Sequence, residues 1–400
     1  MKRWPTKPLG ELVLPTEQRD PRENPTEEFS YVDIAGIDNE AKTIAAIKRV
    51  VGAEAPSRAR KVIRGGDVIV STVRPNLNAV ALVPDTLENQ ICSTGFSVLR
   101  PSERVLSGYL FAFARSPSFI DYLVARTTGA NYPAVDDGEV KEVPVPIPPL
   151  AEQERIVKLL DEADALRKLR AQADRRTAAL LPALFHEMFG RHLKIPPVLV
   201  SLLGTAVPKG WRWSLLTDVA RFATGHTPSR RHPEYWGGEI PWISLTDIRM
   251  LDGTIATTTS ECVTEDGIEN SSSVKLPQGT VCFSRTASVG FVTVMGREMA
   301  TSQDFVNWVC GDELDPIYLM SALMQAREHL RSLASGSTHK TIYFPTVEQF
   351  CVPVPPLPLQ KEFAQQVTEI RALEAAQAAS RRRLEDLFQS MLHRAFNGEL

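Results

Sequence analysis

The residues able to do chemistry lie in a few short polar stretches. Arg74-Pro-Asn-Leu-Asn78 separates two apolar runs, Asp67-Val-Ile-Val-Ser71 and Ala79-Val-Ala-Leu-Val83. That order predicts a β-hairpin with a tip stabilised by Pro and Asn. Arg and Asn are the side chains that bond guanine and adenine bidentately, so Arg74, Asn76 and Asn78 are candidate base readers. A second stretch, Gly225-His-Thr-Pro-Ser-Arg-Arg231, offers Thr227, Ser229, Arg230 and Arg231. Hydroxyls and guanidinium groups of this kind position proteins on phosphate. Arg285-Thr-Ala-Ser288 occupies a comparable tip later in the chain and adds Arg285 and Ser288. Two polar loops, Thr127 to Pro133 and Ser335 to Lys340, contribute Asn131, Tyr132, His339 and Lys340. For every one of these residues a plain turn or a solvated surface is the competing reading.

No catalytic signature accompanies them. The sequence lacks G-x-x-x-x-G-K-[ST], H-E-x-x-H and G-x-S-x-G. It also lacks the Asn/Asp-Pro-Pro-Tyr/Phe of adenine methyltransferases and has no convincing Pro-Asp followed by Glu-x-Lys, the pattern of metal-dependent nucleases. Jointly these absences favour a binding protein with no catalytic residues and no metal. The five cysteines form no C-x-x-C pair, which argues for a reducing compartment and against structural zinc. The 45 basic and 48 acidic residues nearly balance, so net charge announces no partner. The first residues lack the apolar run of a signal peptide, and no stretch has the roughly 18 apolar residues of a membrane span. A soluble cytoplasmic protein is expected.

The elements that must position these residues are announced by a repeat. Val143-Pro-Val-Pro-Ile-Pro-Pro-Leu150 leads into a helical run closing at Phe189-Gly190, and Val352-Pro-Val-Pro-Pro-Leu-Pro-Leu359 leads into another closing at Phe396-Asn-Gly398. The proline runs lie 209 positions apart and the closing Phe residues 207. Such self-similarity marks a duplicated chain. Pro149 and Pro358 are expected just before the helices, where proline is best tolerated. Ile156, Leu159, Ala163, Leu166, Leu169 and Ala173 form one apolar stripe, and Phe363, Val367, Ile370 and Leu373 another. Two such stripes can bury each other as an antiparallel pair. Pro182 should kink or restart the first helix. Residues 1–30, rich in Pro and charge, are expected to be irregular.

The expected order is a first domain over 1–142, a helix over 143–190, a linker over 191–204, a second domain over 205–351 and a helix over 352–400. Ile240-Pro-Trp-Ile-Ser244 and Gly279-Thr-Val-Cys-Phe-Ser284 echo Phe29-Ser-Tyr-Val-Asp-Ile34 and Gly66-Asp-Val-Ile-Val-Ser71. The fold class read from this is α+β, with two similar α/β domains separated by two long antiparallel, coiled-coil-like helices in a pseudo-twofold arrangement.

The second domain carries a long run, Gly225-His-Thr-Pro-Ser-Arg-Arg-His-Pro-Glu-Tyr-Trp-Gly-Gly-Glu-Ile-Pro-Trp-Ile-Ser244. It resembles the opening of a target recognition domain in the specificity subunits of type I restriction-modification enzymes. Gly66 to Val80 resembles the corresponding part of a first such domain, and the two helices resemble the family's spacers. The first domain lacks the Gly-x-Thr-Pro-Ser opening. Within the run, Tyr235, Trp236 and Trp242 are expected as core anchors. The resemblance implies a sequence-specific, non-catalytic subunit that reads double-stranded DNA, one half of a bipartite asymmetric site per domain. It implies modification (methyltransferase) subunits using S-adenosylmethionine and ATP-dependent restriction (translocase-nuclease) subunits needing Mg2+ as partners, with no cofactor in this chain and no membrane. Two alternatives stand beside it. One is a specificity protein whose partners are fused nuclease-methylases. The other is a helical scaffold that binds no DNA, which salt-dependent DNA binding would exclude.

Overall fold

The computed structural model describes residues 4–129, 132–193, 196–200, 206–336 and 339–400. Two compact units emerge, Met1–Gln172 with Ala378–Leu400, and Ala173–Gln377. Each long helix contributes residues to both, so the units cut across the linear segments read from the sequence.

In the first unit, Val68–Ser71 pairs antiparallel with Val80–Leu82 on one side and Phe96–Pro101 on the other, and Val13–Leu14 extends the sheet. A second sheet runs in the order Lys48–Val51, Glu28–Val32, Gln90–Ser93, Ala59–Ile63. Ile63 and Cys92 of the second sheet share a core with Ile69, Phe96 and Val98 of the first. Val68, Ile69 and Val70 are all buried, as a short β-branched run covered on both faces should be. The second unit repeats the plan. Val281–Ser284 lies between Val292–Met295 and Phe305–Cys310, with Ala220–Thr224 beyond. Trp242 pairs in parallel with Ala300, as Tyr31 does with Ile91. Gly66 and Gly279 begin the equivalent hairpins at φ 83 and 84, backbone that glycine adopts without a steric cost.

Residues 1–30 are more ordered than their composition suggested. Thr6–Pro8 pairs with Pro144–Pro146, so the first proline run is a strand. The second, Phe350–Val354, lies between Leu199–Val200 and Arg212–Leu215. Proline is rare in such a place because it cannot donate to a ladder. Here Val352 and Val354, opposite Ser214 and Arg212, keep the N–H groups that Pro353 lacks.

The first long helix spans Leu150–Ala178, breaks at Ala179 and resumes over Leu180–Met188. Pro182 explains the break, since it has no N–H for the Ala178 carbonyl and its ring crowds that oxygen. The second helix runs unbroken over Leu357–Phe396. Within the first unit, Arg155 donates to the Leu400 carbonyl at 2.6 Å and Arg167 to Glu385 at 2.9 Å. Rising numbers on one helix meet falling numbers on the other, so the pairing is antiparallel. Ile156, Leu160 and Ala163 pack in one core with Phe388, Leu392 and Phe396. In the second unit Phe185 and Phe189 meet Phe363 at 5.8 and 5.2 Å between ring centroids. The stripe is narrower than its spacing implied, for Leu166 and Leu169 stay 53% and 61% exposed.

The true register of the repeat appears where helix meets domain. The Tyr109 hydroxyl donates to the Pro146 carbonyl at 2.7 Å and that of Tyr318 to Pro353 at 2.8 Å. Gln153, fully buried, accepts from the Leu106 N–H and donates to the carbonyls of Arg104 and Pro148. Gln360 does the same with Asp315, Glu313 and Pro355. Tyr109 and Tyr318 stand 209 positions apart, whereas Pro146 and Pro353, Pro148 and Pro355, and Gln153 and Gln360 stand 207 apart, as do Phe189 and Phe396. Counting 209 between the proline runs therefore set them two residues out of step. Pro356 is the counterpart of Pro149, and Pro358 sits inside the first turn of its helix. With Gln153 and Gln360 superposed, Leu150 falls on Leu357.

Candidate nucleic-acid interface

In the first unit three loops are laced together. The Arg74 N–H donates to the Pro133 carbonyl at 2.7 Å, Val135 N–H to Thr72 at 2.9 Å, and Thr72 N–H to Gly95 at 2.9 Å. In the second unit Ala287 N–H donates to Lys340, Ile342 N–H to Arg285 and Arg285 N–H to Asp304, each at 2.9 Å. The pattern is the same, and it corrects one assignment. Ala287 is the counterpart of Arg74, and both have a positive φ, 57 and 50. Arg285 is the counterpart of Thr72, one strand position below the tip.

The first tip is a single 3-10 turn, Pro75–Leu77, flanked by left-handed Arg74 and Asn78. Arg74 and Asn76 are exposed, and the Arg74 guanidinium lies 5.1 Å over the ring of Tyr132, itself 71% exposed. Asn78 is buried, contrary to its place among the base readers. Its side-chain amide donates to the Ala114 carbonyl at 2.8 Å, and its own carbonyl accepts from Lys42 Nζ at 2.6 Å. It builds the tip. Asn131 lies outside the described residues.

Lys42 was not among the sequence candidates. Burial, together with the nearby Arg115 and Arg167 guanidinium groups, lowers its pKa to about 8. Asp164 balances that cluster, bonding Arg115 at 3.2 Å and Arg167 at 2.7 Å. Burial pushes the Asp164 carboxyl up, but Arg115, Lys168 and Arg167 outweigh it and the net shift is down. The tip is thus tied through Lys42 and Ala114-Arg115 to the long helices of its own unit.

In the second unit, His339 and Lys340 are exposed beside the Thr286-Ala287 tip. Ser288 is buried and its hydroxyl accepts from Arg249 at 2.9 and 2.6 Å, so it too is internal. Arg285 is half-buried against the Phe344 ring at 4.1 Å, with one guanidinium nitrogen on the Gln303 carbonyl at 3.1 Å and burial lowering its pKa. It braces the turn over 302–304. Thr227 donates to Gln303 at 2.6 Å, which brings the Gly225-His-Thr-Pro-Ser run to the same turn. Gly225 has no alternative there, because a Cβ would lie 2.1 Å from the Thr301 carbonyl oxygen. Trp242 is buried and donates its ring N–H to the His226 carbonyl at 3.1 Å, the anchoring role expected of it.

Arg230 is not free for phosphate. It pairs bidentately with Glu261 at 2.5 and 2.7 Å and stacks 3.5 Å from the Trp236 ring centroid. The Glu261 hydrogen bond raises its pKa. Arg231 and Ser229 are exposed, and Arg231 makes no ion pair among the described residues. Gln303 and the 93–95 turn escaped the sequence reading. Their signal was the repeated Ser93-Thr-Gly95 and Ser302-Gln-Asp304, in which each serine hydroxyl accepts from the N–H two residues on. Among the described residues no His, Cys, Asp or Glu cluster is placed to hold a metal ion, and no helix is long and apolar enough to cross a membrane.

Residues 1–174 and 208–380 match the family described as type I restriction modification DNA specificity domain. The specificity subunit of the type I restriction enzyme HindI from Haemophilus influenzae is 24% identical over 409 residues, spanning 86% of this chain and 89% of that protein. A solved structure from work on complex assembly and conformational transition of the type I R-M system is 32% identical with a TM-score of 0.70, covering 100% of this chain and 99% of its own. The type I S subunit from M. genitalium, 13% identical with a TM-score of 0.56 over 98% of this chain and 96% of its own, shares the fold. The chain belongs to the type I restriction modification DNA specificity domain family and carries that domain twice.

Proposed function

We propose that each domain reads one half of a bipartite, asymmetric duplex site through its tip and the loops laced to it. The observation that supports this reading is one scaffold carrying two sets of side chains. The backbone hydrogen bonds that lace the three loops are the same in both units, whereas the exposed groups differ: Arg74, Asn76 and Tyr132 in one, Ala287, His339 and Lys340 in the other. Phosphate contacts fix register and base contacts specify, so equal scaffolds with unequal donors suit two different half-sites. In this reading the long helices set the gap between them. Catalysis belongs to partners: modification subunits that methylate adenine with S-adenosylmethionine, and restriction subunits that use ATP and Mg2+ to translocate and cut. The named relatives are specificity subunits, which supports that division of labour. The setting is the cytoplasm.

Arg74→Ala tests the reading. The assembled complex is titrated against cognate and singly mismatched duplexes at two salt concentrations. A bidentate contact to guanine predicts a loss of about 1–3 kcal/mol and relaxed preference at one base of one half-site. A phosphate contact predicts a uniform loss and a salt slope lower by about one. Unchanged affinity and slope would remove the tip from the interface.

A further inference from the structure

The first tip presents more than hydrogen-bonding groups. Leu77, at the end of the 3-10 turn, is 49% exposed, and Tyr132, in the loop bonded to the tip, is 71% exposed. Arg74 joins the two, since its guanidinium covers the Tyr132 ring and its carbonyl accepts the Leu77 N–H at 2.9 Å. About half of the Leu77 side chain is thus left to solvent.

The turn that carries Leu77 is held stiffly. Lys42, Arg74, Asn78, Asn89 and Ala287 are the non-glycine residues at positive φ among those described. Arg74 and Asn78 bracket the turn, Lys42 bonds the Asn78 carbonyl, and Ala287 marks the equivalent tip. Left-handed backbone is unfavourable for residues with a Cβ and persists only where surroundings enforce it, commonly at functional sites. The enforcing bonds are Arg74 N–H to Pro133, Asn78 Nδ2 to Ala114 and Lys42 Nζ to Asn78. Such a turn presents Leu77 with little entropy left to lose.

We infer that Leu77 is an apolar wedge that enters a base-pair step of the first half-site and unstacks it. The inference rests on the tip facing DNA, as proposed above. Apolar residues inserted between base steps kink duplexes, and flexible pyrimidine–purine steps yield most easily. An exposed cation stands beside the wedge, with Arg74 above Tyr132, which suits a polyanion rather than a protein surface. The second tip has no such group, since Thr286, Ala287 and buried Ser288 take its place. The wedge therefore acts on one half-site only, and it adds a preference for deformability at a step no side chain need hydrogen-bond.

The test uses the assembled complex and duplexes with 2-aminopurine placed singly at each step of both half-sites. The wild-type complex should raise the fluorescence several-fold at one step of the half-site read by the first domain. Leu77→Ala should abolish that rise and weaken binding about 10- to 100-fold, the effect of losing one buried leucine side chain. Leu77→Met should keep both. A base flipped by a methyltransferase partner would give a signal that Leu77→Ala leaves intact, which separates the two sources. If no step brightens while Leu77→Ala still weakens binding, the side chain packs in a groove and the wedge is refuted, though the tip remains in the interface. If neither Leu77→Ala nor Arg74→Ala changes affinity, the tip does not face DNA and the underlying reading fails with it.

Discussion

Gln153→Ala is the substitution whose consequence the structure specifies most fully. The side chain is fully buried and makes three hydrogen bonds, accepting from Leu106 and donating to Arg104 and Pro148. Truncation strands one N–H and two carbonyls. Each unsatisfied buried group costs about 1–3 kcal/mol, so three of them at the low end give a loss of about 3 kcal/mol. For a unit of about two hundred residues, that lowers Tm by roughly 6–12 °C. Gln360→Ala should cost as much in the second unit, where Gln360 makes the same three bonds. Gln153→Glu should be worse than Ala at neutral pH, because a carboxylate would face the Arg104 and Pro148 carbonyls, and should recover as acid protonates it. Calorimetric unfolding of the full chain, wild type against each variant, reads the effect. A loss below about 1 kcal/mol, or tolerance of Glu at neutral pH, would refute the view that this glutamine clamps helix to domain.

Two further predictions concern charge. Lys42 titrates near 8 in the folded chain against an ordinary 10.5. Between those values the unfolded chain binds more protons, so stability should rise as pH rises through that window. Urea midpoints measured across it should climb for the wild type and climb less for Lys42→Gln; equal slopes would contradict the assignment. Arg231→Ala should weaken DNA binding and lower the salt slope by about one, whereas Arg230→Ala, whose guanidinium is spent on Glu261 and Trp236, should lower Tm and leave the slope alone. The reverse pattern in filter-binding titrations would overturn the roles given to the two arginines.

The sequence made the duplication, the hairpins and the antiparallel helices legible, because each rests on local periodicity or on proline and glycine chemistry. Gly66 and Gly279 begin hairpins as their neighbours implied, and Pro182 breaks its helix. What failed to show was set by long-range contact. The opening Val-Pro-Val-Pro favours an offset of 209, while Pro148-Pro-Leu-x-x-Gln153 and Pro355-Pro-Leu-x-x-Gln360 carry the offset of 207 that Gln360, reaching the Glu313 and Pro355 carbonyls, makes structural. Asn78 and Ser288 carry the right chemistry for DNA, but Ala114 and Arg249 claim them. The repeat sets Arg285 at the tip that matches Arg74's, while the backbone bonds match it with Thr72. Lys42 was invisible because its partner, the Asn78 carbonyl, lies 36 residues away.

The central claim is that the two domains read separate half-sites. Replacing residues 205–351 with the equivalent domain of a relative, then mapping methylated adenines across the genome of a host carrying the modification partners, tests it directly. One half-site should change while the other half and the gap stay as they were. Changes in both halves would contradict it.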